Sequence, residues 1–96
     1  MHFGEKIRQL RESQELLQRQ LAASLEIDTP MFSKIERGER KAKREQVLLL
    51  ADLLHTDKNE LLSIWLADQI FELIKDEEAA SNALLIVNNE LKSQNV

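Results

Sequence analysis

The chain has 96 residues, 43% of them hydrophobic and 31% charged, with two glycines, one proline and no cysteine. Such a chain can build one small core and is too apolar to be disordered, and the lack of cysteine excludes disulfides, thiolate catalysis and zinc ribbons. The net charge of −4 hides an asymmetry, because residues 1–46 carry ten basic and eight acidic side chains while residues 47–96 carry three and nine.

Leu, Glu, Gln, Lys, Arg and Ala dominate, and no alternating run bounded by turn residues occurs, so the expected class is all-α. Phe3, Ile7 and Leu10 recur at helical spacing and predict a helix over about 3–14. Two short amphipathic helices follow, Gln18 to Leu25 and Thr29 to Arg37, separated only by Glu26, Ile27 and Asp28. Leu21, Ala22, Leu25, Ile27, Phe32 and Ile35 can face one core, which leaves Thr29, Pro30, Ser33, Lys34 and Arg37 as a polar, cationic stripe. Asp28 suits the N-cap of the second helix and Pro30 its first turn, where a missing N–H costs nothing. Gly38 suits a left-handed C-terminus. A short helix, a tight turn and a second helix with an outward cationic stripe is how a helix-turn-helix offers a recognition helix to the DNA major groove.

Six of the thirteen cations, Lys34, Arg37, Arg40, Lys41, Lys43 and Arg44, fall between residues 34 and 44. Directly after a recognition-type helix, this reads as a basic patch on an acidic body rather than a solvated loop. A fourth helix is expected over about Arg44–Leu54, burying Val47, Leu48, Leu50, Ala51 and Leu54. Asp57 with Glu60 reads as a capping box opening a fifth helix that runs to about Lys75. A break near Asp76, Glu77 and Glu78 precedes a final helix over about 77–92, with Ser93 to Val96 fraying.

The fifth helix is apolar around most of its circumference, and Trp65, Leu66, Ile70, Phe71 and Ile74 exceed what packing on one small domain requires. The final helix adds Leu84, Val87 and Leu91 to Ala80 at the rhythm of a helix–helix seam. These residues are the expected homodimer interface, the alternative being that the final helix folds back over the fifth within one chain. Residues 1–62 then form a DNA-binding domain and residues 63–96 a C-terminal dimerisation element.

Catalytic chemistry finds no support. His2 and His55 have no second ligand at helical spacing, and Gly4 and Gly38 are too few for a phosphate-cradling loop. The serines have no base nearby in sequence, and the acids at 76–78 suit a helix N-terminus better than a metal cluster. No enzyme activity, metal or cofactor is expected. With no basic leader ahead of an apolar run and no membrane-length stretch, a cytoplasmic location is expected.

From Ile7 to Leu62 the chain resembles the Cro and phage-repressor (XRE) type of helix-turn-helix regulator. The resemblance rests on Ile-Arg-Gln-Leu-Arg at 7–11, on Gln18 with Leu21 and Ala22, and on Phe-Ser-Lys-Ile-Glu-Arg-Gly-Glu-Arg at 32–40. It also rests on Leu50 and Ala51 with Leu61 and Leu62. It implies a lambda-repressor-like bundle of five helices, here with an additional C-terminal helix, in a prokaryotic or phage transcriptional regulator, including controllers of restriction–modification systems. By position it implies that Thr29, Pro30, Ser33 and Lys34 lie against base edges. Gln18, Arg37, Arg40, Lys41 and Lys43 would meet phosphates, and Arg11 would pair with Glu36 to tie helix 1 to helix 3. The implied partner is double-stranded DNA with a palindromic operator, read by a homodimer. The alternative is an antitoxin or interaction module whose main partner is another protein. Glu26 stands where the family has glycine, so it must take positive φ or the turn must be reshaped. Ala42 replaces a proline, and Pro30 can offer a base only apolar contact, as with a thymine methyl.

Overall fold

In a computed structural model, which describes residues 2–95, six helices follow one another: α1 His2–Ser13, α2 Gln18–Ser24, α3 Thr29–Glu36, α4 Arg44–Leu53, α5 Lys58–Ile74 and α6 Ala80–Gln94. The described residues contain no strand, and the fold is all-α as the composition implies. The final helix starts and ends later than its expected span of 77–92. Ser93 and Gln94 are helical rather than frayed, and Val96 lies outside the described residues.

One core holds the first five helices together. Phe3 and Ile7 of α1, Leu21 and Ala22 of α2, Phe32 and Ile35 of α3, Val47, Leu50 and Ala51 of α4, and Leu61 of α5 are all buried in it. Leu25, Ala42 and Leu54 fill it from the connections. The main packing pairs are α4 on α5, α2 on α3, and α1 on both α3 and α5. The α1–α3 contact depends on Gly4. A methyl at that position would lie 2.6 Å from the Ile35 carbonyl oxygen and nearer still to that of Glu36, far inside van der Waals distance.

Local signals set where the helices start. Asp28 Oδ1 accepts from the Met31 N–H at 2.7 Å with Pro30 in the same turn, and Asp57 Oδ2 accepts from the Glu60 N–H at 2.9 Å. The Glu60 carboxylate lies 3.9 Å from Lys6 Nζ instead of closing the reciprocal half of the box. The N-terminus of α1 is capped from a distance. Asp68 on α5 is buried, and its carboxylate accepts from the Phe3 N–H at 2.8 Å and the His2 N–H at 3.2 Å.

The first four helices end alike. A residue with positive φ follows each: Glu15 (56°), Glu26 (59°), Gly38 (75°) and His55 (55°). The next amide reaches back five residues, from Leu16 to Arg11, Ile27 to Ala22, Glu39 to Lys34 and Thr56 to Ala51, at 2.9–3.0 Å. This double turn satisfies carbonyls that a helix end leaves open. Glu26 thus resolves the question of the missing turn glycine: it keeps the left-handed conformation in spite of its side chain.

Candidate nucleic-acid interface

The turn between α2 and α3 positions the outer face of α3. Ile27 is half-buried against the core, so the chain enters α3 with Phe32 and Ile35 facing inward. Thr29, Pro30 and Lys34 are then exposed, and Ser33 is half-exposed among them. The structure therefore brings the four residues expected to meet bases onto one outward face.

Beneath that face lies a polar junction. Arg11 Nε donates to Glu36 Oε2 at 2.7 Å and Arg11 Nη2 to Glu36 Oε1 at 3.2 Å. Gln18 Nε2 donates to the same Oε1 at 2.8 Å, and Arg11 Nη1 donates to the Leu16 carbonyl at 2.9 Å. The bond to Glu36 holds the Arg11 guanidinium pKa above its ordinary value against the opposing effect of burial. The amide of Gln18, expected at a phosphate, is engaged here with Glu36. Gln18 and Arg11 line a polar hollow of about 430 Å³ together with Glu5, Arg8, Ser33, Glu36 and Arg37, on the side where α1, α2 and α3 meet.

The cations after α3 form two groups. Arg37 Nε donates to Glu39 Oε2 at 2.6 Å and Arg37 Nη1 to Ser33 Oγ at 2.6 Å, along the exposed edge of α3. The bond to Glu39 raises the Arg37 pKa and holds the Glu39 carboxyl below its usual range. Arg40, Lys41 and Lys43 are exposed around the loop into α4, with Lys41 Nζ 3.4 Å from Gln69 Oε1. Arg44 lies over the Trp65 ring at 5.5 Å, a favourable cation–π distance.

The residues expected at a dimer interface divide. Trp65 is half-buried on its own core, and its indole N–H donates to the Ala42 carbonyl at 2.8 Å. Ile74 is half-exposed. Leu66, Ile70, Phe71, Leu84, Val87 and Leu91 are exposed, as are Leu73, Leu85 and Ile86. No residue of α6 is buried, so α6 does not fold back over α5 as a packed hairpin.

Three features of the site escaped sequence reasoning. The pairing of Glu39 with Arg37 is one, although an acid following the helix-terminal Arg-Gly is a visible sign of it. Asp68 had a signal too, as a lone acid within the apolar run from Leu61 to Leu66 and on to Ile70. The Gln18–Glu36 bond had none. Among the described residues no group of three or more His, Asp or Glu is arranged to hold a metal, and no helix is long and apolar enough to cross a membrane.

No curated protein and no solved structure matches the chain. Residues 2–63, well over half of it, match a family model described as a helix-turn-helix domain. The protein belongs to the helix-turn-helix family of DNA-binding regulators.

Proposed function

We propose that the protein is a sequence-specific transcriptional regulator that lays α3 in the major groove of double-stranded DNA. The observation that carries this reading is the outward face of α3, where Thr29, Pro30, Ser33 and Lys34 stand clear of the core that holds the helix. In this reading those four meet base edges, Arg40, Lys41 and Lys43 approach the backbone, and Arg37 stands beside them, held by Ser33 and Glu39. Gln18 turns the second hydrogen of its Nε2 to a phosphate at the start of α2 while the first stays on Glu36. The body is acidic and the cations cluster around α3, which favours one orientation on DNA. Residues 1–62 are the DNA-binding unit and residues 63–96 the dimerisation element, so that two copies read a palindrome in the bacterial or phage-infected cytoplasm. No catalytic step, metal or cofactor is part of this function.

Selection of bound sequences from random duplex DNA tests it. A palindromic consensus is the expected result, and recovery of no sequence preference overturns the reading. The exposed apolar α6 favours a second reading, an antitoxin or interaction module whose main partner is another protein. A salt titration separates the two, because counterion release weakens DNA binding steeply while an apolar interface holds.

A further inference from the structure

A serine within a helix commonly donates its hydroxyl hydrogen to a carbonyl one turn back. Ser13, Ser24, Ser63 and Ser93 all do so, at 2.9, 3.2, 2.7 and 3.1 Å. Ser33 differs. Its Oγ accepts from Arg37 Nη1 at 2.6 Å, and among the described residues no carbonyl takes its hydrogen. Arg37 is anchored in turn by Glu39, with Nε to Oε2 at 2.6 Å and Nη2 to Oε1 at 3.4 Å. The relay runs from the loop after α3 to the middle of its exposed face.

A guanidinium can only donate. By filling one of the two lone pairs of Ser33 Oγ, Arg37 turns the hydroxyl hydrogen away from itself and leaves the second lone pair beside a cation, where another donor is disfavoured. We propose that Ser33, set by Arg37 and Glu39, is biased to donate its hydroxyl hydrogen and so favours base edges presenting an acceptor. The proposal rests on the reading of α3 as the groove-facing helix. In the major groove, guanine N7 and O6, adenine N7 and thymine O4 accept, whereas cytosine N4 and adenine N6 donate. A freely rotating serine serves either kind of edge. A serine with one lone pair held by a cationic donor becomes a stronger donor and a poorer acceptor, and so discriminates between them.

Arg37 and Glu39 are positioning residues here, acting through Ser33 without touching a base. Glu39 matters because Arg37 has a competing use: a long side chain at the end of α3 can swing to a phosphate and release the serine. The carboxylate keeps the guanidinium on Ser33.

The test is selection from random duplex DNA with the parent, Ser33→Ala and Glu39→Gln. Both side chains lie at the surface of the domain, so the variants keep its core. The parent is expected to show one position in its consensus from which cytosine, the base that presents only a donor, is depleted. Ser33→Ala relaxes that position by about two- to tenfold in preference, the worth of one hydrogen bond. Glu39→Gln relaxes the same position and leaves the bases selected opposite Lys34 unchanged. A Glu39→Gln consensus identical to the parent's, with affinity altered equally for all sequences, overturns the relay. A parent that selects no sequence overturns the major-groove reading itself, so the two failures are distinguishable.

Discussion

Arg11 of α1 and Glu36 of α3 form a buried ion pair, with side chains only 13% and 3% exposed and Nε to Oε2 at 2.7 Å. Gln18 and the Leu16 carbonyl complete its hydrogen bonds, so the junction ties α1, the start of α2 and the end of α3 together. Pairing this complete offsets the cost of taking both charges out of water, and breaking it strands one of them.

Glu36→Gln should therefore cost about 3–5 kcal/mol of stability, a large share of the total for so small a domain. Urea denaturation checks this. Replacing both partners with apolar residues of similar size, Arg11→Met with Glu36→Leu, should recover much of the loss. A midpoint for Glu36→Gln equal to the parent's would show that the pair adds nothing.

Asp68 caps α1 across the fold rather than along the chain. Removing its carboxylate leaves the His2 and Phe3 N–H groups without their acceptor beside the core. Asp68→Ala should cost about 0.5–2 kcal/mol, the usual worth of a helix cap. Asp68→Asn keeps one acceptor oxygen and should lose less. Hydrogen exchange at the Phe3 amide reads the effect locally, and unchanged protection in Asp68→Ala would rule out the capping role.

The helix order and the approximate boundaries of α1–α5 were legible in the sequence from the 3.6-residue period, and some ends carry a local signal besides. Asp28 and Asp57 cap where they stand, and Gly38 terminates α3 as glycine ordinarily does. The outward stripe of α3 was legible from the 3.6-residue period alone. Relationships between distant residues were not. The Asp68 cap, the Gly4 contact with the α3 carbonyls and the seating of Trp65 on Ala42 depend on how helices cross, which no local pattern encodes. Trp65 counted as surplus apolar surface on α5 because its own core was not visible from spacing. Arg11 and Glu36 are 25 residues apart and became a pair only through family resemblance.

Glu26 holds φ 59° in the turn that joins α2 to α3. A side chain in the left-handed region costs roughly 1–2 kcal/mol, and glycine gives part of that back through its floppier unfolded state. Glu26→Gly should then stabilise the protein by about 0.5–1 kcal/mol and leave DNA recognition unchanged, because Glu26 lies outside the α3 stripe. Thermal melting is the measurement. A lower melting temperature would mean that the Glu26 side chain supports the turn in a way its backbone does not reveal.

Lys34 and Lys43 should separate base reading from backbone contact. Lys34 is exposed on the α3 stripe, whereas Lys43 precedes α4 at the edge of the domain. Lys34→Ala should change which bases are preferred, at a cost of about 1–3 kcal/mol on the preferred site. Lys43→Ala should weaken all sequences alike and flatten the salt dependence by roughly one phosphate. If Lys34→Ala retains the parent consensus, Lys34 does not read a base.

The C-terminal helices should hold two copies together. Leu73 is 80% exposed and Phe71 59%, and α6 presents Leu84, Leu85, Ile86, Val87 and Leu91 with no residue buried. So much apolar surface at adjoining helices exceeds the scattered exposure normal for a monomer. Burial against a second copy removes it from water at roughly 25 cal/mol per Å². A two-fold pair also sets two α3 helices on half-sites about one helical turn apart, which one copy cannot do. Glu substitutions at Leu84 and Leu91 place charges in that seam without touching the core of α1–α5. In sedimentation equilibrium at micromolar concentration the parent should run as a dimer and the doubly substituted protein as a folded monomer. The monomer should bind a full palindrome far more weakly than the parent and with less cooperativity. A parent that sediments as a monomer yet binds a single half-site tightly would sink the dimer.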